Sequence, residues 1–330
     1  MSMITADTSL RERFKRFLLD AEHDQACRVG GWAIPRDPPA GSLLFQTIAW
    51  GDYQWFIPTY VFTALRAYPE SYVRIIYKET LGAGVREALT LVRDGLSDHF
   101  EVVENAWPHT PFYQGTRWLL GGAWWQGYDF GHIGDVDLLI YPERPTLLET
   151  ERVRAEQLGK PFSNNTQLPQ FKKMAGYSHF VICGPYFAAL RPVQERFIDD
   201  AQRLLLRDCD PSLAVHRDAC GGEYQLCLPQ ALGNDEYLLF HLIDTALGAP
   251  PILTPQPPWA LPHGIHLGAL RYRQPWWRLV GGARPPDELD QAEKILREPL
   301  YRKLTACLDD WFWNAQEQLI ADVVLHRQRK

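Results

Sequence analysis

Two aspartates one residue apart, Asp135 and Asp137, follow Gly134 and precede the apolar run Leu138-Leu139-Ile140. Carboxylates at i and i+2 at a strand end can converge on one hard cation when the backbone bends between them. Mg2+ and Mn2+ take oxygen ligands and bridge protein carboxylates to the phosphates of nucleotides. In an open α/β sheet such a pair lies where ligands bind, outside the carboxyl ends of the strands. Solvated Asp pairs are common, but this one is wedged between the segments YDFGHI and LLIY. Two idle carboxylates there would be costly to bury.

The second chemical signal is His266-Leu267-Gly268, which follows a Pro-rich stretch at 249–262 and precedes Arg271, Arg273 and Pro275-Trp276-Trp277. A lone histidine is more often structural than a ligand. This one stands where a flap would bring a third metal ligand, with two phosphate-binding cations behind it, over a site. Imidazole suits Mn2+, which is less strictly oxygen-seeking than Mg2+. The expected metal ligands are therefore Asp135, Asp137 and His266, with Mn2+ or Mg2+ as the cofactor.

The elements that must position these groups alternate. LLFQTIAW (43–50) reads as a buried strand stopped by Gly51-Asp52, and WFIPTYVFTALRAYP (55–69) as a helix with Pro58 in its first turn. SYVRIIYK (71–78) is a second strand and REALTLVRDGL (86–96) a second helix. This succession predicts an α/β fold with a mostly parallel central sheet flanked by helices. Residues 112–124 read as helical, and 128–143 as a strand that breaks near Gly134 and resumes. Residues 178–190 read as a strand leading into a helix that runs to about Leu206, and 236–247 as a further helix. SNNTQ (163–167) and Lys172-Lys173 read as a loop available to an acceptor. A helix at 8–26 and a connector at 30–42 precede the first strand. In the tail, Leu304, Leu308, Trp311, Phe312, Ala315 and Leu319 fall on one helical face.

In this order the pieces resemble nucleotide-sugar glycosyltransferases of the GT-A fold, most closely the retaining family that includes glycogenin and bacterial galactosyltransferases. The resemblance runs from about residue 43 to 277. It implies a GT-A-like single domain at 43–280, an N-terminal helical extension and connector at 1–42, and a C-terminal helical cap at 281–330. It further implies contacts of Asp52 and Tyr53 with the nucleotide base, and of Arg117 in FYQGTRWLL with the donor. Gly176 and Ser178 in AGYSHFVI match the family's donor-sugar segment loosely. Asp235 and Glu236 match its acidic helix start near the reacting carbon. HLGALRYRQPWW is similar to the family's closing motif, with His266 as ligand and Arg271 and Arg273 toward the phosphates. Its His-to-Gly spacing is one residue short, Arg stands for Lys, and extra residues precede Pro275.

The activity so implied is transfer of a sugar from a nucleoside diphosphate, a UDP-sugar foremost, to the hydroxyl of a carbohydrate or glycan acceptor. Asp235 or Glu236 would stabilise an oxocarbenium-like centre or deprotonate the acceptor, which leaves retention or inversion open. A sugar-nucleotide nucleotidyltransferase would want a Gly-rich, cationic loop after the first strand, and AWGDYQWF lacks one. A non-catalytic sugar-binding scaffold would have little use for the paired aspartates and the histidine.

Composition sets the remaining bounds. Across 330 residues the net charge is −6 and no long basic run occurs, which argues against a dedicated nucleic-acid binder. No apolar stretch approaches the roughly 20 residues of a membrane span. Six cysteines without a CxxC fit neither a disulfide scaffold nor a zinc finger. The opening segment lacks the apolar core of a secretory signal, so the expected compartment is the cytoplasm. Trp311, Phe312 and Trp313 are expected to pack on the body of the domain, with peripheral membrane contact as the minor alternative.

Overall fold

The structure is a computed structural model that describes residues 43–104, 115, 117, 128, 130–158, 162–164, 186–190, 214–217, 223–226, 264–267, 286–309 and 312. The expected helices at 8–26 and 236–247, the connector at 30–42, the Pro-rich stretch and most of 112–124 lie outside them. Contacts group the chain into two compact units that do not run consecutively. One comprises 1–42, 107–133 and 151–256, the other 43–106, 134–150 and 257–330.

The second unit opens with strand β1 (Leu43–Ala49), a short 3-10 turn (Gly51–Phe56) and helix α1 (Ile57–Ala67). Strand β2 (Tyr72–Tyr77), helix α2 (Ala83–Gly95) and strand β3 (Phe100–Val103) follow. The three strands are parallel, with β2 in the middle, so this part of the fold is α/β as the alternation predicts. Every residue of β1 is buried, as expected of a parallel strand covered on both faces. Helix α1 is buried from Ile57 to Leu65, which explains an apolar run with few polar positions. The third strand was not expected from sequence, because four residues with no clean alternation announce nothing. Its register is marked by charge: Arg74 of β2 lies opposite Glu101 of β3, and the Arg74 guanidinium donates to the Glu101 carboxylate inside the core. Removing either partner would break an ion pair held almost wholly out of water, a costly change.

Strand β4 (Phe130–Gly134) stops before Asp135 and a two-residue strand, β5 (Leu138–Leu139), resumes after Asp137. This is the break at Gly134 that the sequence suggested. Helix α3 (Leu147–Leu158) begins with a reciprocal cap, the Thr146 amide donating to the Glu149 carboxylate while the Thr146 hydroxyl accepts from the Glu149 amide.

In the first unit, β6 (Phe162–Asn164) pairs antiparallel with β7 (Tyr186–Leu190). Two expectations are corrected here. Ser163 and Asn164 belong to a strand rather than a loop, and 186–190 is extended where the strand was expected to have given way to helix. Tyr186 and Phe187 are good strand formers, and an antiparallel partner decides what local propensity leaves open. Strands β8 (Ala214–Arg217) and β9 (Glu223–Leu226) pair antiparallel on either side of Gly221-Gly222.

The last described elements return to the second unit as β10 (Ile265–His266), α4 (Pro286–Leu296) and α5 (Pro299–Thr305). Tyr301 is buried, shares a 3.3 Å hydroxyl–hydroxyl hydrogen bond with Thr59 and packs its ring 5.5 Å from that of Phe62. Leu304, Leu308 and Phe312 of the expected tail face are also buried, with Phe312 edge-on to Phe56 at 5.3 Å. No described helix is long and apolar enough to cross a membrane.

The α2–α5 contact depends on a small residue. A Cβ on Gly84 would lie 2.1 Å from the Cys307 carbonyl oxygen, whereas one on Gly95 would meet only the flexible tip of Leu300, at 2.9 Å. Alanine favours a helix by about 1 kcal/mol over glycine. Overpacking against backbone costs about 1–3 kcal/mol. Gly84→Ala is therefore expected to lower the melting temperature, while Gly95→Ala leaves it unchanged or raises it. Thermal denaturation of the two variants checks this.

Candidate functional site

Asp135, Val136 and Asp137 form the turn between β4 and β5. Asp135 is partly exposed, while Val136 and Asp137 are each 3% exposed. The main chain of this turn is pinned from three elements. Before it, the Thr47 hydroxyl on β1 donates to the Gly134 carbonyl at 2.6 Å. After it, the Ile140 amide donates to the Thr63 hydroxyl on α1 at 3.1 Å. Within it, the Asp137 carbonyl accepts from the Leu267 amide at 2.6 Å.

That third bond continues a ladder. Strand β10 runs antiparallel to β5, with Ile265 opposite Leu139 and His266 opposite Leu138. The two segments that the sequence singled out, far apart along the chain, are thus paired through their backbones, with His266 opposite the residue that follows Asp137. The backbone of His266 is described and its side chain is not. Among the described residues no cluster of three metal-ligating side chains occurs. The donor chemistry on offer, two carboxylates on one turn with a histidine on the neighbouring strand, is of the kind that Mn2+ or Mg2+ accepts.

At the carboxyl edge of β1 and β2 the chain makes a second built feature. Gly51 takes a left-handed conformation (φ 53°) that lets the chain turn directly after β1. Its amide donates to the Glu79 carboxylate at 3.0 Å and its carbonyl accepts from the Tyr77 hydroxyl at 3.1 Å. Asp52 is exposed on this turn. Tyr53 is half-buried in an aromatic row, 5.1 Å from the Trp50 ring and 6.0 Å from Phe56. Gln54 accepts from the Gly82 amide at 2.8 Å and Glu104 from the Leu81 amide at 2.5 Å, which fixes the start of α2 against the same edge.

Of the other expected site residues, Arg117 is buried and lies in the first unit. Gly176, Ser178, Asp235, Glu236, Arg271 and Arg273 lie outside the described residues. Sequence reasoning missed the pinning groups Thr47, Thr63 and Leu267. Each sits in an apolar segment and looks there like an ordinary strand or helix former.

No protein-family model matches the chain, and no curated protein sequence matches it. Solved structures similar to it include the galactosyltransferase LgtC in complex with donor and acceptor sugar analogues, at 13% identity over 62% of this chain and 71% of that one, with a TM-score of 0.36. A mannosyltransferase from Pyrobaculum calidifontis in complex with GDP-Man and Mn2+ is similar at 15% identity over 98% of each chain, with a TM-score of 0.34. The PaToxG glycosyltransferase is similar at 9% identity over 97% of this chain and 96% of that one, with a TM-score of 0.30. All three are glycosyltransferases. Likeness at these TM-scores fixes no correspondence between residues.

Tyr77 offers a direct probe of the Gly51 turn. Burial first, and then the charge of Glu79 and a hydrogen bond to it, with smaller effects of Asp52 and Glu104, push its hydroxyl from the ordinary 10.0 up to about 12. A raised folded-state value means that the stabilisation is complete below pH 10 and is lost as pH climbs from there to about 12, because the unfolded chain ionises first. Tyr77→Phe should cost about 0.5–1.5 kcal/mol near neutrality, the worth of one hydrogen bond. It should also flatten the alkaline loss of stability. Urea denaturation of both proteins at about pH 8 and about pH 11 checks both statements.

Proposed function

We propose that the chain is a metal-dependent glycosyltransferase that moves a sugar from a nucleoside diphosphate, a UDP-sugar foremost, to an acceptor hydroxyl in glycan or polysaccharide assembly. The observation that carries this reading is the backbone pairing of β10 with β5 beside the Asp135–Asp137 turn. Asp135, Asp137 and His266 are the residues that would hold Mn2+ or Mg2+. Bound there, the ion would supply positive charge to the departing diphosphate.

The chain's own groups do the rest. Asp52 and Tyr53 lie just beyond β1 on the Gly51 turn, at the edge where parallel sheets take ligands, and are assigned to the nucleotide base. Tyr53 offers an aromatic face to it and Asp52 an acceptor. Arg117, Gly176 and Ser178 are assigned to the donor sugar. Arg271 and Arg273 are assigned to the diphosphate oxygens through charge-assisted hydrogen bonds. Asp235 or Glu236 is assigned to the reacting carbon or the acceptor hydroxyl, according to whether the enzyme retains or inverts. The loop after β1 is a 3-10 turn with one left-handed glycine and an exposed aspartate rather than a cationic Gly-rich loop, which favours this reading over a nucleotidyltransferase.

The test is UDP release from a panel of UDP-sugars with a carbohydrate acceptor, with Mn2+ and with EDTA. Release with at least one donor is expected, abolished by EDTA and restored by Mn2+. Asp137→Asn should lower it by about a hundredfold or more, since even partners that only orient a metal ligand are worth about 10–100-fold. Nucleotide-sugar binding without turnover would identify a sugar-binding scaffold instead. Turnover indifferent to EDTA would remove the metal.

A further inference from the structure

We infer that Gly264 is a positioning residue for the acidic turn: it lets β10 close on β5 so that the Leu267 amide fixes the Asp137 peptide for metal binding. This rests on the metal-dependent reading above. A ladder of two residues holds little by itself, so the approach of β10 needs another cause. Gly264 stands immediately before it with φ 94°, a conformation that side chains with a Cβ rarely adopt. A Cβ there would lie 2.6 Å from the Leu139 carbonyl oxygen and 3.2 Å from its carbon. Both are backbone atoms of β5, and β5 is tied to α1 one residue later by the bond between Ile140 and Thr63. Neither side can give way easily, so a larger residue would lift β10 off β5.

What β10 delivers is the hydrogen bond at its far end. Leu267 is fully buried, which anchors that end, and its amide reaches the Asp137 carbonyl at 2.6 Å. Thr47 and Thr63 hold the flanks of the turn at 134 and 140; Leu267 holds its interior. Fixing the carbonyl of Asp137 fixes the plane of the following peptide. With it goes part of the freedom by which the Asp137 side chain could swing relative to Asp135.

The experiment uses the full chain and Mn2+ alone, with binding read from loss of the free-ion EPR signal. Gly264→Ala should bind Mn2+ about tenfold or more weakly, in line with the loss of a group that orients a metal ligand. Gly84→Ala, destabilised at the α2–α5 contact instead, should bind as the wild type does. A folded Gly264→Ala protein with wild-type affinity overturns the role of Gly264 and leaves the metal reading intact. A wild type that takes up no Mn2+ overturns the metal reading, and this role with it. Should Gly264→Ala fail to fold, hydrogen exchange of the wild-type peptide containing Leu267 decides. Slower exchange on adding Mn2+ supports the clasp, and unchanged exchange overturns it.

Discussion

Three hydrogen bonds to the main chain, at Gly134, Asp137 and Ile140, hold the turn that interrupts its strand. The placing of the two aspartates depends on that restraint. A turn rich in carboxylates repels itself, and one of its two aspartates is almost wholly withdrawn from water. Such a segment keeps one conformation only if its surroundings impose it. The donors and acceptors that impose it come from β1, α1 and the residue after β10, so the acidic turn is built into the fold from three directions.

The same economy operates at the carboxyl edge. Glu79 and Glu104 spend their carboxylates on main-chain amides, those of Gly51 and Leu81, and Glu104 also receives Arg86 at 2.8 Å. Their charge is used to shape loops, and Asp52 is left exposed on the turn that they shape. A carboxylate that accepts from backbone is a structural part, however much it looks like a catalytic one in sequence. This distinction cannot be drawn from residue type. It appears only when the partner atoms are known.

That is also why the sequence was legible in some places and silent in others. β1, α1, β2 and α2 were readable because each carries enough apolar residues at one period to outvote its exceptions. The break at Gly134 was readable because two aspartates interrupt an apolar run. β3 and β10 were not, since four and two residues are too few for a period to show. The strand at 186–190 was misread because its conformation is decided by pairing with β6, information that lies elsewhere in the chain. Asp135, Asp137 and His266 announced themselves by type and spacing. Thr47, Thr63, Gly264 and Leu267 did not, because each acts on a main-chain atom of a distant segment, and neither a threonine in an apolar run nor a glycine or leucine shows which atom that is.

The second unit draws its core from three separated stretches, and the last of them includes buried Leu304 and the rings of Tyr301 and Phe312, which pack on Phe62 of α1 and on Phe56 of the turn before it. During synthesis, β1, α1 and β2 leave the ribosome long before these residues exist. For that interval α1, apolar on nearly every side, has one face without its native cover. Completion of this core, unlike the local pairing of β1, β2 and β3, must therefore wait for contacts of high sequence separation, which fold slowly and leave apolar surface open to wrong partners. The acidic turn shares the wait: its interior bond cannot form until Leu267, 130 residues after Asp137, has been made.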